Sequence, residues 1–235
     1  ALGDMACHIM EPPFRVLGLG YPSEVECSVG SVYVDEFKRG YFPESCPPSS
    51  HITITFPAKD GKAPVKFHWM DGGIQPERPE ELGPNEMMGD GGNGVIMVGT
   101  KGKMMAGTYG INPQLLPTNL TATTKVPQTV DRVKGGEGGH YSAWVEACIA
   151  GPGSKEAKTL SSHFDIAGPL TESVLMGNLA IRSYDIKSTN NKGNTIYPGR
   201  NIQLVWDGPN MKITNFDLAN QFVKRTYRDG WSLGV

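Results

Sequence analysis

The sequence predicts an α+β fold: an open, mostly antiparallel mixed β-sheet with helices packed on one face. Alternating apolar and polar residues form two pairs of short segments joined by glycine-containing turns, a pattern typical of β-hairpins. Helical periodicity is confined to the beginning and the second half of the chain. Thirty glycines and 18 prolines among 235 residues favour many short elements joined by loops over a helical bundle.

The segment Ala1–Gly20 predicts a helix with an interruption. Asp4 is suited to the N-cap position, and apolar residues follow it at helical spacing. Pro12 and Pro13 then remove two amide donors. Either the helix kinks at this point, or a second helix begins with Pro12 in its first turn.

Alternating residues predict the strands of the sheet. The apolar residues Val25, Val29, Ile52 and Ile54 could face either side of it, because alternation alone does not say which face is covered. The predicted strands are Glu24–Asp35 with an irregularity at Gly30, the hairpin His51–Phe56 with Val65–Met70, the hairpin Val95–Val98 with Lys103–Thr108, and three short strands in the tail.

Two long irregular stretches, Asp71–Gly94 and Asn112–Lys134, separate these elements, and loops of such length are usually functional or disordered. A helix is predicted from His140 to the Gly-Pro pair that follows Ala150. Another is predicted over Pro169–Ser183, with the proline in its first turn, and a short amphipathic helix over Asp217–Val223.

Composition excludes several classes of protein. The net charge of −2 and the pI near 6.2 argue against a nucleic-acid binder, which usually has a clear basic excess. Apolar runs such as Val95–Val98 are far shorter than the roughly 20 residues that a membrane span requires. The four cysteines form no C-x-x-C pair, so we expect free buried thiols and no metal site.

The chain begins with Ala1 and shows no basic segment followed by an apolar one, as a secretory signal would. We therefore expect a piece of a longer polypeptide. Its location, cytoplasmic or periplasmic, would be encoded in the missing part.

Asp4 and His8 lie four residues apart, which places both side chains on one face of a helix. A carboxylate beside an imidazole forms an acid/base pair, in which the carboxylate fixes the tautomer or binds a substrate hydroxyl. The same spacing is also that of an ordinary pair on a solvated helix.

The segment Gly89–Gly94 has the spacing G-x-G-x-x-G of a dinucleotide fingerprint. A polar loop precedes it and a predicted strand follows, so no helix N-terminus is available to bind a pyrophosphate. The segment therefore predicts a turn and not a nicotinamide site.

Aromatic side chains could stack on a sugar ring, although packing in the core is the alternative use. His140 opens a predicted helix, where a helix-terminal role is the alternative to ligand binding. The candidate substrate-binding residues are Trp69, Tyr109 and His140, with Trp231 as a further aromatic.

Five segments resemble those of a known family in their order and spacing. They are Gly3–Met10, the hairpin Val95–Ala106, His140–Ala147, Phe164–Glu172 with the helix after it, and the ending Thr214–Trp231. Together they resemble the C-terminal part of the Gfo/Idh/MocA oxidoreductases, and the ending is similar to that of a bacterial subgroup. The resemblance covers nearly the whole chain.

The resemblance implies one substrate-binding and oligomerisation domain over residues 1–235. Members bind NAD or NADP in an N-terminal Rossmann domain, which also holds the catalytic lysine and has no counterpart in this sequence. Their C-terminal sheet shapes the substrate pocket and often mediates oligomers. The chain alone is therefore expected to bind no nicotinamide cofactor and to be inactive.

The family's Asp and His correspond to Asp4 and His8. The resemblance implies that His8 accepts the proton when a sugar hydroxyl is oxidised, and that Asp4 binds a hydroxyl or orients the imidazole. It also implies that the loop Asp71–Gly94 forms a rim or lid over the pocket. Pro12-Pro13 departs from the smooth helix of the family.

Three functions remain open. The first is that of an NAD(P)-dependent oxidoreductase acting on a sugar, sugar derivative or polyol. The second is that of a relative which uses bound NAD for transient oxidation and cleaves glycosides without net redox. The third is a non-catalytic module for carbohydrate binding or assembly. The expected partners are a small carbohydrate or polyol and further copies of the chain, with no nucleic acid and no membrane span.

Overall fold

The computed structural model describes residues 2–234, apart from the side chain of Glu137, and confirms the α+β class. The first residue of the predicted helical segment, Ala1, lies outside the described residues. The helices are α1 (Leu2–Ile9), α2 (Glu11–Leu17), α3 (Asn119–Thr123), α4 (Gly139–Ala150), α5 (Lys155–Thr159) and α6 (Phe164–Tyr184), with 3-10 turns at Thr108–Gly110, Gly136–Gly138 and Asp217–Phe222. The strands are β1 (Glu24–Val29), β2 (Tyr33–Asp35), β3 (Lys38–Arg39), β4 (Ser50–Phe56), β5 (Val65–Asp71), β6 (Val95–Gly99), β7 (Gly102–Ala106), β8 (Gln114–Leu116), β9 (Ser188–Thr189), β10 (Thr195–Ile196), β11 (Leu204–Asp207) and β12 (Lys212–Ile213).

A five-stranded sheet with the order β12-β11-β1-β4-β5 forms the centre of the fold. The strands β6, β7 and β8 form a separate three-stranded sheet, and two two-stranded ribbons pair β2 with β3 and β9 with β10. Every strand pair within the described residues is antiparallel, so the mixed character expected from the sequence is not seen there.

One face of the five-stranded sheet is covered by α1, α2 and α6. The alternating residues Val25, Ile52 and Ile54 point toward these helices and are almost completely buried, and Val29 lies on the same face by its pairing with Ser50. The residues between them form the opposite face, which is polar. They include Glu24, Glu26, Ser28, His51, Thr53, Thr55, Lys66 and His68.

Four predictions of detail are wrong. Asp4 is not an N-cap, because α1 begins at Leu2 and Asp4 lies in its first turn. The strand expected over Glu24–Asp35 is two strands, since the chain bends at Gly30, where an added Cβ would lie 2.3 Å from Ser49 Oγ.

Pro169 lies inside α6, and the helix tolerates it because a proline near the first turns removes only one backbone hydrogen bond. The fourth concerns the cysteines: all four are free, but Cys7, Cys46 and Cys148 are exposed and not buried.

The break near Pro12 is resolved in favour of a second helix. The helix α2 begins at Glu11 and has prolines at its first positions, where no intrahelical partner for the missing N–H exists. It ends at Leu17, and the left-handed backbone of the following Gly18 (φ 67°) closes the last turn.

The helix predicted from His140 is confirmed as α4, but it is an exposed helix. It packs on α5 and on the preceding 3-10 turn, and Tyr141, Trp144 and Ile149 are exposed. No helix among residues 2–234 combines the length and the apolar character needed to cross a membrane.

Candidate functional site

The helix α1 separates buried apolar residues from a polar outer face. Leu2, Ala6 and Ile9 are buried against the sheet and α6, whereas Asp4 is exposed and His8 is half-buried. The predicted pair therefore lies on the side of the helix that a ligand can reach.

Asp4 and His8 share a face but are not bonded to each other. No hydrogen bond or ion pair between the two side chains is present in the described part of the chain. The carbonyl oxygen of Asp4 accepts instead from the Cys7 thiol, at 2.9 Å. Both the Asp4 carboxylate and a ring nitrogen of His8 are thus open to an external hydroxyl group.

The imidazole of His8 contacts the ring of Tyr109. The two ring centroids are 4.9 Å apart and the rings are inclined at 62°, which is an edge-to-face arrangement. Tyr109 as a residue is 65 % exposed, so it contacts His8 while much of its surface faces solvent. The structure therefore brings together two residues that the sequence analysis had placed in different roles.

Tyr109 adopts a backbone conformation that a bulky residue rarely takes. Its φ of 60° and ψ of 13° are left-handed, and it lies in the middle of the 3-10 turn Thr108–Gly110. Such strain persists only where the surroundings hold it, and it is concentrated at functional sites.

Asp90 holds this turn through four hydrogen bonds, which we call the Asp90 network. Its Oδ2 accepts from the backbone N–H (3.1 Å) and the hydroxyl (2.7 Å) of Thr108. Its Oδ1 accepts from the backbone N–H groups of Gly92 (3.1 Å) and Asn93 (2.7 Å). One carboxylate thereby ties the glycine-rich segment to the residue before Tyr109.

The same hydrogen bonds lower the pKa of Asp90 well below its usual range, the bond from the Thr108 hydroxyl having the largest effect. Asp90 is therefore ionised at any pH near neutrality. Because it accepts from all four donors as a carboxylate, it acts as a positioning residue for the turn.

The glycine-rich segment is a turn, as predicted, and serves this network. Gly89 and Gly94 have positive φ angles of 60° and 150°, and an added Cβ would lie 2.1 Å from Asn93 O and 2.7 Å from Ala106 O respectively. The segment leads into β6 and not into a helix, so its backbone N–H groups are directed to Asp90.

The first turn of α2 supports the other side of the Tyr109 turn. A Cβ on Gly110, whose φ is 73°, would lie only 3.2 Å from the ring of Pro12. Pro12 is thus in close contact with the site.

The long loop after β5 is fixed to the three-stranded sheet. Leu82 is buried with Met105 and Leu116. Glu86 accepts from Gly83 N (2.6 Å) and from the Thr118 hydroxyl (2.5 Å), and further polar contacts join the loop to itself and to β7. These contacts hold the loop against the three-stranded sheet, and its role as a rim or lid stays a prediction.

The other candidate residues lie elsewhere. Trp69 is in β5 and not in a loop; it is only 6 % exposed and donates through Nε1 to Asp71 Oδ2 at 2.9 Å, so no ring face is available for a sugar. His140 is at the beginning of α4, with its ring centroid 3.9 Å from that of Tyr141. Trp231 is exposed and lies under the Arg228 guanidinium, 4.2 Å from its ring centroid.

Sequence reasoning missed Asp90 and Thr108. The aspartate among glycines and asparagine is typical of a turn in which the side chain accepts from backbone N–H groups two and three residues later. That pattern could have identified Asp90, whereas nothing in the sequence near Thr108 indicates the pairing across 18 residues.

No family model matches this sequence, and no curated protein is significantly similar to it.

Proposed function

We propose that this chain is the substrate-binding part of an NAD(P)-dependent oxidoreductase of the Gfo/Idh/MocA type that acts on a sugar, sugar derivative or polyol. The observation that supports it best is the half-buried His8 resting on the strained Tyr109, with the free Asp4 carboxylate one turn earlier on the same helix.

The chemistry assigned to this chain is proton transfer and hydroxyl binding. Oxidation of a carbinol needs an acceptor for the hydroxyl proton, and a ring nitrogen of His8 is the acceptor here. The edge contact with Tyr109 restricts rotation of the imidazole, which keeps that nitrogen in a constant direction. The nicotinamide cofactor, bound by another part of the protein, would serve as the hydride acceptor.

Asp4 acts on the substrate and not on His8, because no hydrogen bond joins the two side chains. Its exposed carboxylate accepts hydrogen bonds from one or two hydroxyl groups of a polyol. The exposed ring of Tyr109 offers an apolar surface for the carbon side of the same sugar.

The glycine-rich segment is not itself a cradle for a pyrophosphate. It is followed by β6 and not by a helix, and its N–H groups at 92 and 93 are already bonded to Asp90. Binding of the cofactor by another part of the protein stays a prediction.

The test uses the full-length protein with NAD or NADP and a panel of sugars and polyols. His8→Ala should lower kcat by roughly 100- to 10,000-fold while the dissociation constant of the cofactor stays unchanged. The matched control is His163→Ala, since the partly exposed imidazole of His163 lies at the beginning of α6, 3.5 Å from the Asp165 carboxylate. Near-normal turnover of His8→Ala at saturating substrate would refute His8 as the base.

Two further readouts sharpen this test. Asp4→Asn should raise KM more than it lowers kcat, because Asp4 binds hydroxyl groups. Release of a free sugar without accumulation of reduced cofactor would show that the protein catalyses redox-assisted glycoside cleavage and not net oxidation.

We also propose that the chain associates with further copies through the polar face of its five-stranded sheet. No helix among residues 2–234 packs over that face, which carries complementary groups such as Glu24, Glu26 and Lys66. Sedimentation of the full-length protein at several concentrations should show an oligomer, and a purely monomeric protein would contradict the proposal.

A further inference from the structure

A cavity of about 540 Å³ lies apart from the site on α1. It is open to solvent on one side and is lined by the chain between β1 and β4, by the end of α6 and by the 3-10 turn Asp217–Phe222. Cavities of roughly 300–1,000 Å³ are typical of small-molecule sites. None of Asp4, His8 and Tyr109 lines it.

Two cations in the cavity wall lie over aromatic rings that also line it. The Nζ atom of Lys187 is 3.4 Å from the ring centroid of Tyr41, and the Cζ atom of Arg182 is 4.3 Å from that of Phe222. Neither cation forms an ion pair with a carboxylate of the described residues. Stacking on a ring orients the charge but leaves the N–H donors available.

One of the two carboxylates in the cavity lining, Asp185, is already compensated. Asp185 Oδ1 accepts from Arg200 at 2.9 Å and lies 3.5 Å from Arg39 Nη2, so two guanidinium groups share one negative charge. Glu44 is the other carboxylate in the lining, and it is exposed. The wall therefore has an excess of positive charge beside aromatic surface.

The wall opposite α6 is held in place by backbone contacts. Gly30 N donates to Ser49 O at 2.8 Å, and Gly40 N donates to Val32 O at 2.7 Å. An added Cβ on Gly72, the residue after β5, would lie 2.1 Å from Pro48 O, which shows how closely the chain packs on this segment. A wall fixed before binding lowers the entropic cost of capturing a ligand.

We propose that this cavity binds a small organic anion in which a phosphate or carboxylate is attached to a ring. Arg182 and Lys187 bind the anionic group, and the rings of Tyr41 and Phe222 contact the body of the ligand. The proposal does not depend on the function proposed for the α1 site, because the two sites share no residue.

Cys46 provides a local readout, since it lines the cavity and its thiol is exposed. In the full-length protein, phenyl phosphate should slow alkylation of Cys46 by iodoacetamide, measured by mass spectrometry of the peptides. Alkylation of Cys148, which is exposed on α4, should be unchanged and serves as the internal control.

Phenylacetate, inorganic phosphate and phenol separate the contributions to binding. Phenyl phosphate or phenylacetate should bind at least tenfold more tightly than phenol or inorganic phosphate, and the tighter of the two identifies the anionic group. Protection by inorganic phosphate as strong as that by phenyl phosphate would overturn the assignment of a ring-bearing ligand.

The double variant Arg182→Gln/Lys187→Gln should weaken binding of the tighter probe at least tenfold. The matched control is Arg132→Gln/Lys158→Gln, which removes the same charges from exposed positions outside the cavity. Unchanged binding in the first variant, or no protection of Cys46 by either ring-bearing anion, would overturn the proposal.

Discussion

The five-stranded sheet and the three-stranded sheet of this chain are stabilised by different interactions. The first buries a continuous apolar face under three helices, with Ile52 and Ile54 fully buried. The second has a small apolar cluster around Leu82 and is held to its long loop by carboxylates, among them Asp90 and Glu86. Apolar burial changes little with pH, whereas hydrogen bonds to carboxylates depend on ionisation, so the two regions should respond differently to substitution and to acid.

The largest effect is expected in the five-stranded sheet. Ile54→Ala removes a fully buried side chain at the contact of β4 with the helices and should lower the free energy of unfolding by about 3–4 kcal/mol. Urea denaturation measures this loss. The control Val98→Ala, at a side chain 73 % exposed in β6, should cost less than about 0.5 kcal/mol. Similar losses in both variants would contradict the comparison.

A smaller effect is expected from the Asp90 network. Asp90→Ala leaves the N–H and hydroxyl of the buried Thr108 without their acceptor and should cost about 2 kcal/mol locally. Hydrogen exchange of the Thr108 and Asn93 amides should become faster while that of the Ile54 amide is unchanged. Asp131→Ala, at an exposed aspartate, is the matched control and should leave all three rates unaltered.

Acid should separate the two sheets. The pKa of Asp90 is lowered by hydrogen bonds in the folded state, so its contribution is complete above the unfolded value of about 4 and is lost as the pH falls toward the folded pKa. We expect protection of the Thr108 amide, corrected for intrinsic exchange, to be constant from pH 7 to 5 and to decline below about pH 4. Protection of the Ile54 amide should decline less over the same range, and an equal decline at both amides would argue against the Asp90 network as its cause.

The smallest effect is expected at the ion pair between Glu81 and Lys103, which joins the long loop to β7 at 2.9 Å. Both side chains are partly exposed, and solvent-screened ion pairs of this kind contribute little to stability. Glu81→Gln should therefore lower the urea midpoint by less than Asp90→Ala does, and the loss should shrink in 1 M salt. A loss as large as that of Asp90→Ala would contradict this order of effects.

Sequence patterns predict the apolar region well and the polar region poorly. Alternation placed β4 and β5 within one residue of their observed bounds, because both strands have one buried face. The strands also share a hairpin turn at Asp60-Gly61, and both residues have positive φ as such a turn requires. Local pattern and tertiary structure agree in this region.

The limits of prediction are clear at α6 and β8. A proline usually lies in the first turn of a helix, but α6 already begins at Phe164, before Pro169. The packing of α6 on β1 and α1 outweighs the loss of one backbone hydrogen bond at the proline. The strand β8 has only three residues, too few for a recognisable period.

The candidate site was predicted in part. The i, i+4 spacing placed Asp4 and His8 on one face of α1 because that relation is local. The contact between His8 and Tyr109 spans about a hundred residues and depends on the backbone geometry set by Asp90, which no periodicity encodes. The aromatic character of Trp69 predicts a contact with substrate, but its position in β5 buries the ring.

The order of strands has a consequence for how the chain acquires its structure during synthesis. The strand β1 pairs on one side with β4, which follows soon after, and on the other with β11, with Glu24 opposite Val205. Until the ribosome has released the tail, one edge of β1 has no neighbour, and an open edge is a template for pairing with another nascent chain. Closing so distant a contact is also slow. Chaperone dependence should therefore be concentrated in the interval between translation of β4 and of β11, and a stop codon placed before Leu204 should yield insoluble protein.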